Sequence, residues 1–507
     1  MPALGTNRPG YASVGWLLSR GVALVYLVAF ASLAVQIQGL YGSDGILPIS
    51  SYLEWLRGRG GPEVWQSYPS LLWLGHGDAA LAAFCWSGIF ASLAWLAGFL
   101  PLAAASICWV LYLSLFVVGR VFLSFQWDIL LLEAGFLAIF LQPTVIRESF
   151  SKPRERSDIV IVLFRWLLFR LMFASGAVKL LSDDPVWWNL TALEYHYWTQ
   201  PLPTWTAWHA HHLPGWFHRI CTGAMFAVEL VVPFFVFGPR RPRLLAFAPL
   251  VLLQLAIAAT GNYTFFNLLT LVLCVSVLDD AALPRWLRAR PSADDVRGLW
   301  MSATEPASRS VRDSLASAFR VAGRGVAIVL ALTLAACGGA QMMARLGQGT
   351  RIPWPIARMT EAVAPYHLTS SYGLFAMMTR QRPEIVLEGS RDGQQWTAYE
   401  FRWKPGDVTR APAFVQPHQP RLDWQMWFAA LGDYRRNLWL IELQRRLLEG
   451  SPPVIALLDR DPFAGDPPRH VRAMLYEYRF TDPQTRRSTG AWWTRQLLRQ
   501  YSPTQSR

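Results

Sequence analysis

Residues 159–181 read IVIVLFRWLLFRLMFASGAVKLL, a run long enough to cross a membrane. A transmembrane helix needs about 20 mostly apolar residues to span about 30 Å of hydrocarbon. Similar apolar blocks occupy residues 14–38, 79–99, 102–123, 129–142, 220–238, 244–260, 265–278 and 325–343. So many blocks cannot all be core helices of a soluble domain. The sequence therefore predicts a polytopic α-helical membrane protein, with about nine spans in residues 1–345.

The distribution of positive charge indicates how these spans are oriented. The chain has 47 Lys and Arg residues against 34 Asp and Glu residues. Basic residues gather in alternate loops, after residue 142, at 240–243 and across 279–322, whereas the loop 182–218 has none. The positive-inside rule then places the N-terminus and the basic loops in the cytoplasm, and an odd number of spans places residues 346–507 outside. Arg57 and Arg59 are exceptions, because they lie in a loop predicted to be outside.

The composition also predicts the compartment and the partners. Only three of the basic residues are Lys, a skew that favours a bacterial host with a GC-rich genome, and hence an inner membrane with a periplasmic C-terminal domain. All five Cys residues lie in apolar blocks, so no disulfide framework is expected outside the membrane. The positive net charge favours contact with anionic lipid headgroups. The sequence shows no soluble segment in which basic residues alternate with exposed aromatic residues, so nucleic acid is not a predicted partner.

Two connecting segments differ sharply in composition. Residues 279–322 are polar and rich in Arg, Asp and Ser, which predicts a cytoplasmic linker. Loop 182–218 is aromatic, and we expect it to cap the bundle at the outer interface, where Trp is enriched. Its Trp and His residues are Trp187, Trp188, His196, Trp198, Trp205, Trp208, His209, His211, His212, Trp216 and His218. No carboxylate or Cys completes a metal-ligand spacing with these histidines, so neither a metal nor a cofactor is predicted.

The C-terminal portion, 346–507, has mixed periodicity, which predicts an α+β domain with a small sheet. Residues 384–389 and 396–403 alternate on either side of an Asp-Gly turn, which is typical of a β-hairpin. Residues 471–480 alternate again, whereas 424–431, 434–449 and 453–458 have helical spacing.

Ionisable residues inside apolar blocks are costly and are therefore candidates for function. The candidate catalytic group consists of Lys179, Asp128, Glu133 and Glu194, and Arg170 and Glu229 also lie in apolar blocks. One interpretation is that Asp128, Glu133, Arg170 and Lys179 pair to hold neighbouring helices together. The other is a proton-transfer site in which a desolvated Lys179 acts as a base. Either interpretation predicts that Lys179 faces the bundle interior near Asp128, Glu133 or Glu194.

Aromatic residues are dense at 421–430 in the C-terminal portion. The first interpretation is a hydrophobic core, with Arg421 and Asp423 as an ion pair, and the second is a binding surface. We expect Trp424, Trp427 and Phe428 to pack inward and to dock on loop 182–218. The candidate binding residues are Arg170, His196, Trp198, Arg421, Asp423 and Trp424.

Collinear stretches over nearly the whole chain resemble the lipase maturation factors, membrane proteins needed for the folding of certain secreted lipases. The matching stretches are residues 45–48, 127–135, 169–179, 191–203, 211–219, 229–241, 261–267, 371–375, 399–407, 421–430 and 461–472. The resemblance implies a chaperone-like, non-enzymatic protein whose partner is an exported lipase. Members of that family place the C-terminal domain in the lumen of the endoplasmic reticulum, for which the periplasm would be the equivalent side.

The membrane half is also distantly similar to the helical domain of vitamin K-dependent carboxylases. In that resemblance Lys179 occupies the position of a catalytic lysine. The alternative hypothesis is therefore an integral-membrane enzyme that acts on a lipid or quinone-like substrate through Lys179 and its neighbouring carboxylates. The residues alone do not decide between the two functions.

Overall fold

The computed structural model describes residues 10–61, 63–150, 154, 156–288 and 311–507. Among these residues, nine helices form the bundle of the membrane half: α1 Ala12–Ala34, α2 Asp78–Ala97, α3 Pro101–Val118, α4 Gln126–Ile139, α5 Asp158–Leu181, α6 Gly215–Leu230, α7 Arg240–Thr260, α8 Phe266–Cys274 and α9 Val311–Arg345. Pro occupies the first position of α3, where its missing N–H costs nothing. A further short helix, Val232–Phe235, follows α6, and Pro239 then precedes the first residue of α7.

Seven of the helices in the described residues are long and apolar enough to cross a membrane, so the protein is a polytopic helical membrane protein. These candidate spans are Ala12–Ala34, Asp78–Ala97, Pro101–Val118, Asp158–Leu181, Gly215–Phe235, Arg240–Thr260 and Ala327–Arg345. The predicted blocks 129–142 and 265–278 form the shorter helices α4 and α8 instead. At 1.5 Å per residue, the 14 residues of α4 extend only about 21 Å. Both short helices are buried among the longer ones, which explains why most of their side chains are apolar and why Asp128 and Glu133 of α4 have buried partners.

The loops of the bundle gather at two opposite ends. At one end a bridge joins Phe99 to Arg147, and the Asp280 carboxylate accepts a hydrogen bond from the N–H of Val14 at 2.9 Å. At the other end a bridge joins Pro203 to Gly261. The C-terminal portion contacts this second end, for example where Arg446 donates to the carbonyl of Ser43 at 3.0 Å. We call it the module end.

Short helices cover the module end. They are Ile37–Tyr41, Ile49–Arg59, Val64–Ser67, Pro185–Trp188, Ala192–Thr199 and Trp205–His211, with single turns of 3₁₀ helix at Leu71–Trp73 and Arg120–Leu123. Loop 182–218 therefore folds as helices that cap the bundle, as predicted. The predicted linker 279–322 is only partly described, since residues 289–310 lie outside the described residues, and helix α9 already begins at Val311.

The C-terminal portion is an α+β module, as the mixed periodicity predicts. Its sheet has the order β2-β1-β3-β4 and is antiparallel throughout. The strands are β1 Pro383–Ser390, β2 Thr397–Ala398, β3 His470–Phe480 and β4 Trp493–Ser506, and the longer helices are α10 Trp354–Val363, α11 Arg421–Ala430 and α12 Leu438–Glu449. Smaller helices are Pro452–Ile455 and Pro483–Thr489. The hairpin and β3 were predicted, whereas β4 was not.

A segment without regular structure, residues 368–382, joins the helical region after α9 to strand β1. We call this segment the strap. It carries Gly373 at φ +147° and Phe375 at φ +54°, so its backbone is sharply folded. A Cβ on Gly373 would lie 2.9 Å from the side chain of Val178, so a glycine lets the strap lie close against α5.

Candidate functional site

An ion pair joins the module to the bundle at the centre of their junction. Arg421, at the start of α11, donates to both carboxylate oxygens of Asp128 on α4, at 2.9 and 3.0 Å, and both side chains are fully buried. Arg421 also donates to the carbonyl of Phe122 at 2.6 Å, and the Tyr112 hydroxyl donates to Asp128 at 2.5 Å. Burial lowers the pKa of Arg421, but the Asp128 carboxylate more than reverses this effect. The pair is therefore a bidentate, charge-assisted contact that is closed off from solvent.

The predicted pairing of Arg421 with Asp423 is wrong. Asp423 instead accepts hydrogen bonds from the backbone N–H groups of Trp403 and Lys404, both at 2.9 Å. Burial raises the pKa of the Asp423 carboxyl, and these N–H groups oppose the rise. Asp423 thus organises a turn inside the module, while Arg421 is free to reach the bundle.

Lys179 faces the bundle interior, as predicted, but its partner is Glu229 and not Asp128, Glu133 or Glu194. The ammonium donates to the two Glu229 oxygens at 2.6 and 2.9 Å and to the carbonyl of Ser175 at 3.2 Å. It also lies 5.5 Å from the centre of the Trp187 ring. Each of its three N–H groups has an acceptor, so the pair links α5 to α6 as a complete unit.

Glu133 and Arg170 pair between α4 and α5, as the structural interpretation predicts. The strap completes this pair. The hydroxyl of Tyr372 donates to Glu133 at 2.6 Å, the N–H of Ser370 donates to it at 3.0 Å, and Arg170 donates to the carbonyl of Ser370 at 2.9 Å. The same two groups that hold the helices together therefore also hold the strap.

Two residues of loop 182–218 hold the strap farther along. Asp184 accepts from the N–H of Met378 at 2.9 Å and from Arg380 at 2.6 Å, and the Trp187 indole donates to the carbonyl of Ala376 at 3.1 Å. Burial alone would raise the pKa of Asp184, but the hydrogen bonds it accepts lower it. The strap is thus fixed from both the bundle and the loop.

Arg382, at the end of the strap, connects the sheet to loop 182–218. It is fully buried and donates to the carbonyls of Trp198 and Pro201, both at 2.8 Å, and to that of Gln200. Glu384 on β1 pairs with Arg382 at 2.7 Å and with Lys404 at 3.1 Å. Burial lowers the pKa of Arg382 and Glu384 opposes this shift. Carbonyls that a loop leaves unpaired are thereby satisfied from the module.

The aromatic cluster of α11 only partly follows its prediction. Trp427 is buried and donates to the carbonyl of Thr199 in loop 182–218 at 2.9 Å, as expected. Trp424 is also buried, but it packs on Trp127 of the bundle, with ring centres 4.7 Å apart. The prediction that Phe428 is inward is wrong, since this side chain is 45% exposed.

The remaining candidates in loop 182–218 have structural partners. His196 makes a 3.1 Å hydrogen bond with the Tyr263 hydroxyl, and burial lowers its pKa to about 4. The Trp198 indole donates to the backbone carbonyl of Glu194 at 3.2 Å, and the Glu194 side chain makes no ion pair among the described residues. The parts of the chain that the structure describes contain no group of three His, Cys, Asp or Glu side chains placed to hold a metal ion.

Together these contacts form a junction that fixes the position of the C-terminal module relative to the helical bundle. Ion pairs and hydrogen bonds join α4, α5, loop 182–218, the strap and the module into one connected network. The sequence analysis noted Glu229 but did not pair it with Lys179, and it did not single out Tyr372 or Arg382. The signal for this pairing was present, because Glu229 is the only charged residue in the sequence block 220–238.

Two family models match the chain and together cover most of it. The lipase maturation factor transmembrane domain matches residues 14–285, and the lipase maturation factor C-terminal domain matches residues 368–503. No solved structure matches. The remote carboxylase resemblance stays a prediction.

Characterised relatives match along nearly the full length. Lipase maturation factor 2 of Gallus gallus is 40% identical over an alignment 578 positions long, which covers 97% of this chain and 81% of the relative. Lipase maturation factor 2 of Homo sapiens is 40% identical, with 97% and 82% covered. Lipase maturation factor 1 of Bos taurus is 36% identical, with 99% and 91% covered. These relatives are vertebrate and carry no information on the predicted bacterial host. The chain belongs to the lipase maturation factor family.

Proposed function

We propose that this protein assists the folding or maturation of an exported lipase or related hydrolase at the membrane surface. The family membership supports the class of client, and one structural observation carries the mechanism. The module is fixed to the bundle through buried charged groups from both sides, most directly through Asp128 and Arg421. A rigid module can hold a folding client in one place relative to the membrane without chemistry of its own.

The surface that would hold the client is an exposed apolar rim on the module. We define the rim by Phe414, Phe428, Leu431 and Leu438, with Trp205 of loop 182–218 beside it. Phe414 packs on Trp205, with ring centres 5.9 Å apart, so the rim continues across the junction. Large exposed apolar side chains in one region are typical of an interaction surface. A folding lipase exposes apolar segments that such a surface can cover reversibly.

We further propose nine crossings of the bundle, with the N-terminus in the cytoplasm and residues 346–507 as a periplasmic domain of an inner-membrane protein. The alternation of the loops between the two ends supports α4 and α8 as buried, short crossings. The basic residues Arg240 and Arg243 lie at the end opposite the module, where they pair with Asp279, which agrees with the positive-inside rule. A reporter fused after Arg507 should be active in the periplasm. Activity only in the cytoplasm would contradict this orientation.

Substitution in the rim tests the client-binding role. Leu438 is 69% exposed and Ile146, at the opposite end of the bundle, is 70% exposed, so the two form a matched pair. Leu438→Ser combined with Phe428→Ser should lower the specific activity of the exported lipase while leaving lipase synthesis and the level of this protein unchanged. Ile146→Ser should change none of these. Full lipase activity with the rim variant, or in a strain that lacks residues 346–507, would contradict the proposed function.

A further inference from the structure

The exceptions to the charge pattern, Arg57 and Arg59, share an unusual environment with Arg120 at the module end. Each guanidinium lies over an aromatic ring: Arg57 over Trp73 at 5.5 Å, Arg59 over Trp55 at 4.8 Å and Arg120 over Tyr52 at 5.0 Å. Among the described residues, none of the three has a carboxylate within ion-pair distance. Glu54 and Glu63, on the same excursion, are exposed and likewise make no ion pair with the described residues. No carboxylate of the described residues therefore contacts these three guanidiniums directly.

A cavity of about 210 Å³ lies beside Arg120. One wall is apolar and comes from Phe116 and Val117 near the end of span α3, together with Pro365. The polar wall comes from Ser67, Tyr68, Ser124 and His367, and the Arg120 side chain also lines the cavity. Arg120 and His367 both have positive φ, at 45° and 49°, so the surrounding packing holds the backbone on two sides of the cavity in the left-handed region.

From the end of span α3 we infer that the cavity lies at the depth of lipid headgroups. Span α3 ends at Val118, two residues before Arg120, so the apolar wall borders the hydrocarbon and the guanidinium borders water. Trp55 and Trp65 are about half exposed nearby, and Trp354 of helix α10 is 73% exposed. Exposed Trp residues beside a span end mark the membrane–water boundary. The surface thus combines an aromatic belt, an apolar wall and an unpaired guanidinium.

We propose that this cavity binds the phosphate of a phospholipid headgroup from the leaflet on the module side. Arg120 would donate to the phosphate oxygens, which accept charge-assisted hydrogen bonds from a guanidinium. Phe116 and Val117 would contact the glycerol and the upper part of an acyl chain. Arg57 and Arg59 would add long-range attraction for an anionic lipid. The site is independent of the client rim, because it lies beneath the module at the edge of the span and not on the module's exposed face.

Native mass spectrometry of the delipidated full-length protein in detergent tests the site. The probes are phosphatidylglycerol, a diacylglycerol with the same chains, and inorganic phosphate. We expect saturable binding of phosphatidylglycerol, weaker binding of diacylglycerol and no competition from inorganic phosphate at equal concentration. Arg120→Gln should weaken phosphatidylglycerol binding about tenfold, since it removes a charge-assisted contact. Arg219→Gln, which removes an exposed Arg near the start of α6, is the matched control and should leave binding unchanged.

A second variant tests the cavity separately from the charge. Ser67→Trp fills the mouth of the cavity and retains all three guanidiniums, so it should also abolish saturable binding. Unchanged binding by this variant would show that the cavity is not the site. Equal binding of diacylglycerol, displacement by inorganic phosphate, or an equal loss in Arg219→Gln would each overturn the proposal. None of these measurements involves a lipase, so they test the lipid site independently of the proposed role in lipase maturation.

Discussion

Two buried ion pairs of similar geometry serve different parts of this molecule. Lys179 and Glu229 join two helices within the membrane half, whereas Asp128 and Arg421 join that half to the C-terminal module. The Lys179–Glu229 pair has the Trp187 ring and the Ser175 carbonyl as additional neighbours. The second has a Tyr hydroxyl and a loop carbonyl, and it lies fully away from solvent. The first pair therefore stabilises a bundle, and the second sets where the module sits on it.

This difference has an energetic consequence. Removing one member of a buried pair leaves the other charge uncompensated and costs about 3–5 kcal/mol, whereas replacing both members by apolar residues is often neutral. A pair inside the bundle is accompanied by extensive apolar packing along two helices. The junction pair lies where the bundle and the module meet, with the Tyr112 hydroxyl, the Phe122 carbonyl and the ring contact of Trp127 with Trp424 around it. Its loss should therefore affect how the two parts are positioned.

The largest expected effect is that of Arg421→Ala. Asp128 would remain buried with only the Tyr112 hydroxyl and no cation, so the module should detach or loosen at a cost of about 3–5 kcal/mol. Limited proteolysis of the purified protein should then cleave the strap at much lower protease concentration. The double variant Asp128→Asn with Arg421→Met is the control and should recover most of the resistance. Resistance of Arg421→Ala equal to that of the wild type would contradict the role of this pair.

Lys179→Ala should have the next largest effect, about 3 kcal/mol, because Glu229 would lose its cation within the bundle. Thermal unfolding in detergent measures the loss. The double variant Lys179→Met with Glu229→Leu should recover stability and retain full lipase maturation. This variant also separates the two hypotheses for the protein, since an enzyme that uses Lys179 as a base would stay inactive.

Tyr372→Phe should have a smaller effect on the strap. It removes one hydrogen bond to the Glu133 carboxylate, a change of about 1.5–3 kcal/mol for a charged acceptor. Hydrogen exchange should increase in residues 368–382 while it stays unchanged in α2 and α3. Tyr366→Phe, at a partly exposed site outside the strap, is the control and should leave the exchange of the strap unaltered.

The smallest expected effect is a dependence of stability on pH. Burial, with the neighbouring Arg421 and Arg402 charges, lowers the pKa of His418 to about 4. A base whose pKa is lower in the folded state stabilises least under acidic conditions, because the unfolded chain takes up the proton first. The contribution is complete above about pH 6.5 and is lost as the pH falls from 6.5 towards 4. The melting temperature of His418→Asn should therefore fall less than that of the wild type between pH 7 and pH 5.

The apolar blocks of the sequence correctly predicted the positions of most helices. In lipid, backbone N–H and C=O groups must be hydrogen-bonded within the segment, so a long apolar run there forms a helix. The count of full-length spans was less accurate. Helices α4 and α8 are surrounded by protein, so they can be shorter than the hydrocarbon is thick and still be mostly apolar. Periodicity alone does not distinguish such a buried short helix from a span in contact with lipid.

The partners of buried charges were harder to predict than their burial. Lys179 lies near the end of α5 and Glu229 near the far end of α6, so a bundle with level helix ends would keep them apart. They meet because α6 begins well beyond the end of α5. The contact between Asp128 and Arg421 depends on how two separately folded parts dock. No local sequence pattern indicates that two residues so far apart in the chain will meet. The hairpin of β1 and β2, in contrast, was predicted from the local Asp-Gly turn.

The junction, and not the covalent chain, should hold the module in place on the bundle. A protease site inserted between α9 and α10, in residues 346–353, tests it in purified membranes. After complete cleavage and a wash in moderate salt, the module of the wild type should stay bound to the membranes, whereas that of Arg421→Ala should be released. Release of the wild-type module on cleavage would contradict the account.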